Sequence, residues 1–415
     1  MIALVDCVTY FVSAEMRFRP DLWGKAVCVA SPNDGCIVAM NDQTKALGIK
    51  KFAPVFEYAE LMKRNNVKIF SSNFPLYGCL SERVMNTLAT FAHDISIYSI
   101  DESWLDLRGR TEDLRGLGHN INSTVFRDVG IPTRYGAAET KCLAKVASII
   151  AKKVSRANGV CVIDDEKQRR AILNKFPAAS VWGIGRQLNK RLEQDRIYTA
   201  LQLADADKKW LRKYYNVNVE RISRELCGEQ CLSFHEDVNE QKQIVVSRAF
   251  GAHITDLAPL QSITAGYLTK AMEKLRRNKQ LVKSVSVSIS TSRFKNNYVS
   301  YHKVFLFPAP TNDTLTVTRY LSAAIASIYR PAIYVRSTVC LTDLCKDSHY
   351  QGDLLQEEQS SASRQLMATL DGLNVGNSKT VFLARTGSSK KFEMRQASKS
   401  PNYTTSWSEL PKVKC

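Results

Sequence analysis

Ile2-Ala-Leu-Val-Asp6 and Ile95-Ser-Ile-Tyr-Ser-Ile-Asp101-Glu102 are two short apolar runs, each closed by acid. Alternation and β-branched content predict a strand for both. If the two strands are neighbours in one sheet, three carboxylates meet at its edge. Such a cluster repels itself unless cations sit in it. Hard oxygen donors of this kind suit Mg²⁺, which is usually held by a few carboxylates together with substrate phosphates. Two such ions roughly 3.5–4 Å apart stabilise both the attacking and the leaving oxygen of a phosphoryl transfer. An Asp-Glu pair taken alone is most often a solvated turn, so the reading needs support from the rest of the chain.

Charge supplies some. The chain has 415 residues, enough for two to four domains with their own cores. Its 58 Lys and Arg outnumber 40 Asp and Glu, giving a net charge of +18 and a pI near 9.4. Residues 241–350 hold 15 basic and 5 acidic side chains, so +10 of the excess falls there. Residues 1–240 carry only +5 and residues 351–415 carry +3. A basic segment beside a nearly balanced, acid-bearing one suits a polyanion held next to a metal site. The plain alternative is a soluble protein of high pI, but concentrated charge favours nucleic acid. The N-terminus reaches Asp6 before any long apolar stretch and has no basic n-region, and no run of about 18 apolar residues follows. A cytoplasmic protein without a membrane span is expected. Cys227 and Cys231 are a close pair, but no second pair with zinc spacing faces them. No G-x-x-x-x-G-K-[ST] loop is present, which argues against a P-loop ATPase.

Residues 1–165 alternate strand-like stretches (2–6, 27–31, 95–101, 103–107, 160–163) with helix-like ones (75–91, 141–153). This pattern predicts a ferredoxin-like α/β sandwich with helices on one face, interrupted by a small insertion at about 11–74. In Val181-Trp-Gly-Ile-Gly185, two glycines opening a helix expose N–H groups that can hold a phosphate, as in a helix-hairpin-helix. An ordinary glycine-capped turn explains them equally well. Residues 241–350 follow the order βαββαβ. From Ser284, the run Val282–Ser290 alternates one apolar face with one serine face. Arg248, Arg293, Lys295, Lys303 and Arg336 lie on or beside these strands, predicting a polar, basic sheet face that lies along a duplex. After residue 350 the chain turns Gln-, Ser- and Gly-rich, which predicts a tail ordered only by a partner.

Tyr98-Ser-Ile-Asp-Glu102 resembles the catalytic signature of the Y-family, lesion-bypassing DNA polymerases. Asp6 followed by Tyr10-Phe11 and Ser13-Ala-Glu15 resembles their first motif, and Thr140-Lys-Cys-Leu-Ala-Lys145 with Ala151-Lys152 another. Within the family the chain is most similar to the UmuC group, the catalytic subunits of bacterial DNA polymerase V. Phe18–Lys25, Asn33–Cys36, Lys45–Gly48, Val181–Gly185 and the tail residues Ser400, Pro401, Tyr403, Thr404 and Thr405 carry that likeness. The resemblance implies an α+β right hand. Its palm is 1–10 with 75–165, its fingers 11–74, its helical thumb 166–238, and its βαββαβ little finger 239–350, followed by a tail at 351–415. It implies error-prone, template-directed DNA synthesis across lesions in the SOS response. Asp6, Asp101 and Glu102, assisted by the Cys7 carbonyl, would bind two Mg²⁺. Phe11 would be a steric gate against a 2′-OH. Lys45 and Lys152 would hold the triphosphate, and Tyr10 and Thr44 would line the nucleotide pocket. Gly183 and Gly185 would grip DNA. Primer-template DNA, dNTPs, a UmuD′-like dimer, a RecA-like filament and a sliding clamp are the implied partners. Gln351-Gly-Asp-Leu354-Leu355 resembles a clamp-binding peptide, ending in Leu where Phe is common. There are departures: Met40 stands where close relatives carry Arg, Gln43 replaces a Glu, Ser103-Trp104 replaces Ala-Phe, and Arg134-Tyr135 replaces a small or branched pair. Two other classes share these features, a DNA-binding accessory factor with little or no polymerase activity and, more distantly, a two-metal nuclease.

Overall fold

The computed structural model describes residues 1–110, 112–154, 157–235, 241–294, 296–351, 359–374, 381–387, 392 and 394–410. They fall into two compact units, Met1–Val238 with Ala397–Cys415, and Asn239–Gln396.

In the first unit β1 (Ile2–Cys7) leads through Thr9, at φ 44°, into α1 (Tyr10–Met16). A small sheet follows, built from β2 (Val27–Ala30), β3 (Ile37–Met40) and β4 (Lys68–Ser71), with α2 (Asp42–Ala46) and α3 (Ala59–Arg64) between β3 and β4. Its order is β3-β2-β4, antiparallel then parallel. Next come α4 (Phe74–Ala89), β5 (Ile95–Ile97), β6 (Glu102–Asp106), α5 (Leu114–Val129), β7 (Thr133–Ala138), α6 (Lys141–Lys153) and β8 (Val160–Ile163). Five strands run in the order β5-β6-β1-β7-β8, with β1 central and antiparallel to both neighbours.

The expectation of helices on one face of this sheet is corrected. β1 is apolar at successive residues, as a strand covered on both sides must be. Ala3, Val5 and Cys7 pack with Leu80 and Val84 of α4 and Val125 of α5, whereas Ile2 and Leu4 pack with Trp104 and with Leu143 and Val146 of α6. The α6 face is shared with five short helices: α7 (Glu166–Lys175), α8 (Arg186–Gln194), α9 (Ala200–Asp205), α10 (Lys208–Tyr214) and α11 (Val217–Leu226). Side chains of Asp165, Thr199, Asp207 and Asn216 cap four of them by accepting free N–H groups of the first turn. Gly185 starts α8. Gly183 sits at φ +89°, a conformation that favours glycine, with the mobile end of the Ile222 side chain, Cδ1, 2.6 Å from where a Cβ would lie.

The second unit has the predicted order: β9 (Ile244–Ile254), α12 (Leu257–Arg277), β10 (Gln280–Ser290), β11 (Ser300–Thr311), α13 (Thr314–Ile328) and β12 (Tyr334–Lys346). The sheet is antiparallel throughout, in the order β11-β10-β12-β9. Val285, Val287 and Ile289 join the core beneath the helices, leaving Ser286, Ser288 and Ser290 on the opposite face. The tail departs from its expectation. Helix α14 (Ser361–Leu373) is tied to α12 by Arg276, whose Nε and Nη2 donate to the Asp371 carboxylate at 2.7 Å each, and residues 397–410 fold onto the first unit. Among the described residues no helix is long and apolar enough to cross a membrane.

Candidate active site

Asp6 on β1 stands directly opposite Glu102 on β6, and the Cys7 N–H donates to the Asp101 carbonyl at 2.8 Å. Opposed residues in a sheet share a face, so the pairing brings the carboxylates together. The run Ile95–Asp101 is not one strand, as its pattern predicted. β5 ends at Ile97, and the N–H groups of Tyr98 and Ser99 both donate to the Glu102 carbonyl at 3.1 Å. The Ser99 hydroxyl donates to Asp101 Oδ1 at 2.5 Å, and the Asp101 N–H returns to Ser99 Oγ at 3.2 Å. This local side-chain bonding breaks the strand, and Asp101 lies in the turn. Burial, then the Glu102 and Asp101 charges, push the Asp6 carboxyl up to about 6, against the pull of Lys152 and Lys145. Lys145 on α6 donates to Glu102 Oε1 at 2.5 Å, with its ammonium 5.2 Å from the Tyr98 ring centre.

Three hard oxygen donors whose mutual repulsion already lifts one pKa fit a divalent cation. Among the described residues no three His, Cys, Asp or Glu side chains are already arranged around a metal position. Glu102 Oε1 is bonded to Lys145 and Asp101 Oδ1 to Ser99, while the second oxygen of each carboxylate takes part in neither bond. The Cys7 thiol is buried and raised by that burial, so only its main chain can serve a cation.

Phe11 stacks on Tyr77 at 4.7 Å and 18°, and meets Phe74 edge-on at 6.1 Å. Tyr10 and Thr44 both lie in the core. Tyr10 is buried, with its hydroxyl donated to the Tyr77 carbonyl at 2.5 Å. Thr44 is fully buried, with its hydroxyl 2.9 Å from the Val27 carbonyl and 2.8 Å from Asn41 Oδ1. Lys45 is exposed and pairs with Asp42 at 2.7 Å. Lys152 closes α6 and acts electrostatically on both Asp6 and Asp42. Arg134 was missed by the sequence reading. It faces Asp6 across β1–β7, so Glu102, Asp6 and Arg134 form one row, and its Nη1 is buried without a partner. Met40 lies in the core of the small sheet with Cys28, Ile37 and Met62.

Residues 5–149 match the impB/mucB/samB family, residues 241–354 match its C-terminal domain, and residues 364–413 match a domain of unknown function, DUF4113. Protein MucB of Salmonella typhimurium is 37% identical over 417 residues, covering 99% of each chain. Protein UmuC of Salmonella typhimurium strain LT2 is 36% identical over 422 residues, covering 100% of each. The chain belongs to the impB/mucB/samB family. Its fold is that of Y-family DNA polymerases: the chimera Dbh-Dpo4(243-245)-Dbh matches with a TM-score of 0.65 at 22% identity, over 83% of this chain and 100% of that one.

In this impB/mucB/samB chain the basic residues of the second unit do not share one face. Arg336 pairs with Ser290 and stands on the serine face. Arg248 is opposite the buried Ser337, and Lys303 opposite Val287, which puts both on the helix-bearing face. Arg293 lies in the β10–β11 loop, with its guanidinium 5.8 Å from the Tyr298 ring centre. Lys295, Leu354 and Leu355 lie outside the described residues, and Gln351 is exposed. The single basic face is therefore corrected to a serine-rich face that carries Arg336, flanked by exposed Val304 and Leu306 on β11.

Proposed function

We propose that this chain is a DNA-directed DNA polymerase that extends primers across lesions in the SOS response, releasing pyrophosphate from dNTPs. The carrying observation is the opposition of Asp6 and Glu102 beside Asp101 at the ends of the adjacent strands β1 and β6. In this reading residues 1–10 and 75–165 are the palm, 11–74 the fingers, 166–238 the thumb and 239–350 the little finger. Two Mg²⁺ held by Asp6, Asp101, Glu102 and the Cys7 carbonyl would activate the primer 3′-OH and neutralise charge on the leaving phosphates. Lys45, Lys152 and Arg134 would hold the triphosphate and orient its α-phosphorus. Phe11 presents a flat ring beneath the incoming sugar and excludes a 2′-OH. Tyr10, in the core, fixes α1 and thereby the ring. Gly183 and Gly185 offer main-chain N–H groups to a phosphate. Primer-template DNA is the macromolecular substrate; a UmuD′-like dimer, a RecA-like filament and a sliding clamp are the partners proposed for full activity.

One observation favours the second reading, an accessory DNA-binding factor: the Lys145 ammonium already occupies Glu102. Primer extension with the full chain, alone and with UmuD′-like and RecA-like partners, separates the two. The parent should extend primers with dNTPs. Asp101→Asn should lose at least about a hundredfold in rate with primer-template affinity kept, because a carboxamide is a poor Mg²⁺ ligand. Extension at the parental rate by this variant refutes the site. Binding without extension by the parent establishes the accessory reading, and shortened primers would indicate a nuclease.

A further inference from the structure

The matched domain of unknown function ends in residues that the nucleotide chemistry does not use. Where β4 passes into α4, Asn73 sits at the position that begins the helix, yet it makes no cap bond to it. An asparagine there ordinarily caps its own helix. Here the buried amide is spent on the tail, donating to Ser400 Oγ at 2.9 Å, the Ser400 carbonyl at 3.2 Å and the Pro401 carbonyl at 3.3 Å. The Ser71 N–H donates to the Ser398 carbonyl at 3.0 Å, the Ser398 N–H returns to Ser71 Oγ at 3.0 Å, and the Ala397 N–H donates to Asp34 Oδ2 at 2.9 Å. Tyr403 stacks on Phe18 at 4.6 Å and 19°. The segment closes on itself, with the Asn402 N–H donating to Glu409 at 2.7 Å.

These contacts lie one step from the ring assigned to sugar selection. Ser400 neighbours the buried Glu15 carboxyl, which burial raises and the Tyr77 and Ser400 hydroxyls pull back down. The Tyr77 hydroxyl donates to Glu15 at 2.6 Å, and its ring is the one on which Phe11 stacks. Phe74, the second ring against Phe11, directly follows Asn73. The tail thus reaches both aromatic supports of Phe11, one through Asn73 and the other through Glu15.

We propose that residues 397–410 are a clasp on the junction of β4 and α4 that positions the Phe11 ring, with Asn73, Ser400 and Tyr403 as positioning residues for sugar discrimination. This rests on the reading of Phe11 as the steric gate. A clasp that steadies a ring changes selectivity without touching the metal ligands, because it acts on where the ring stands and not on the reacting atoms.

The test compares full-length Asn73→Ala/Tyr403→Ala, Tyr403→Phe and Phe11→Ala for ribonucleotide against deoxynucleotide incorporation on one template. Thermal unfolding and amide exchange of residues 397–410 are measured alongside. Phe11→Ala should admit ribonucleotides freely. The double variant should raise the ribonucleotide to deoxynucleotide ratio by about three- to tenfold, since displacing a positioned group costs less than removing it. Amide exchange over 397–410 should quicken, and Tyr403→Phe, which keeps the stacked ring, should behave as the parent. Parental selectivity in the double variant with quickened exchange, while Phe11→Ala admits ribonucleotides, overturns the clasp and leaves the gate standing. Parental selectivity in Phe11→Ala overturns the gate and the clasp with it. If the double variant unfolds, Ser400→Ala carries the same comparison with a smaller lesion, and an unchanged ratio there also overturns the proposal.

Discussion

Between about pH 4 and 6 the folded chain keeps a proton on Asp6 that the unfolded chain has released, because its carboxyl is raised from 3.8 to about 6 by burial and by Glu102 and Asp101. The unfolded state binds fewer protons in that window, so stability falls as pH rises through it and stays lower above it. The shift sets a ceiling of about 3 kcal/mol, and partial solvent screening reduces this to roughly 1–2 kcal/mol. Asp6→Asn should therefore raise the unfolding temperature in EDTA at pH 7.5 by a few degrees, with the gain vanishing near pH 4, while nucleotide addition is lost. Thermal scans of parent and variant at both pH values check this. An equal gain at pH 4, or a loss at pH 7.5, would show that the carboxylates do not strain the fold. Adding Mg²⁺ should stabilise the parent more than the variant, because only the parent has the full set of oxygen donors.

Helix α6 delivers Lys145 and Lys152 to the acids, and it does so by lying unusually close to β7. A Cβ at Gly136 would fall 2.1 Å from the Ser148 backbone nitrogen and 2.7 Å from the Ala144 carbonyl oxygen, so the contact is backbone against backbone and cannot be relieved by a rotamer. The other end of α6 is held by the fully buried Glu225, which accepts from the Cys142 N–H at 3.1 Å, while its carbonyl accepts from Thr140 at 2.8 Å. Gly136→Ala should cost about 3 kcal/mol or more, read as a lower denaturant midpoint at unchanged slope, and should also cut primer extension as α6 shifts. A change within about 0.5 kcal/mol would mean that α6 gives way freely. Elements of this kind were legible where periodicity and a cap agree, as in α6 behind Thr140, which spans the residues predicted for it. Legibility failed where one side-chain bond overrules a pattern, as Ser99 does before Asp101. It failed also for β3 and β4, which lie in the insertion beside the legible β2. Which neighbours take the Tyr10 and Thr44 hydroxyls is a tertiary fact that no motif carries. Arg134 stood out in the sequence only as a departure from the family pattern; strand register is what places it beside Asp6.

Across the whole chain, charge is divided unevenly between the acid-bearing first unit and the basic second one, and register decides what the second can do with its charge. In β9–β12 pairing the register slips between Tyr334 and Arg336, and a slip re-aims side chains, so the sequence pattern alone could not say which face each arginine takes. Arg336 ends on the open serine face and Arg248 on the face that packs against helices. If the open face lies along a duplex, as the polymerase reading holds, the two arginines must differ in salt dependence, because only a residue at a phosphate releases counterions when DNA binds. Arg336→Gln in the full chain should make the slope of log affinity against log salt shallower by about 0.9 on B-form primer-template. Arg248→Gln should leave the slope within error, with any loss appearing in stability. Affinity measured across a salt series by fluorescence anisotropy decides between them. A slope that shifts for Arg248→Gln and stays fixed for Arg336→Gln would turn the sheet over and put the helices of the second unit on the DNA.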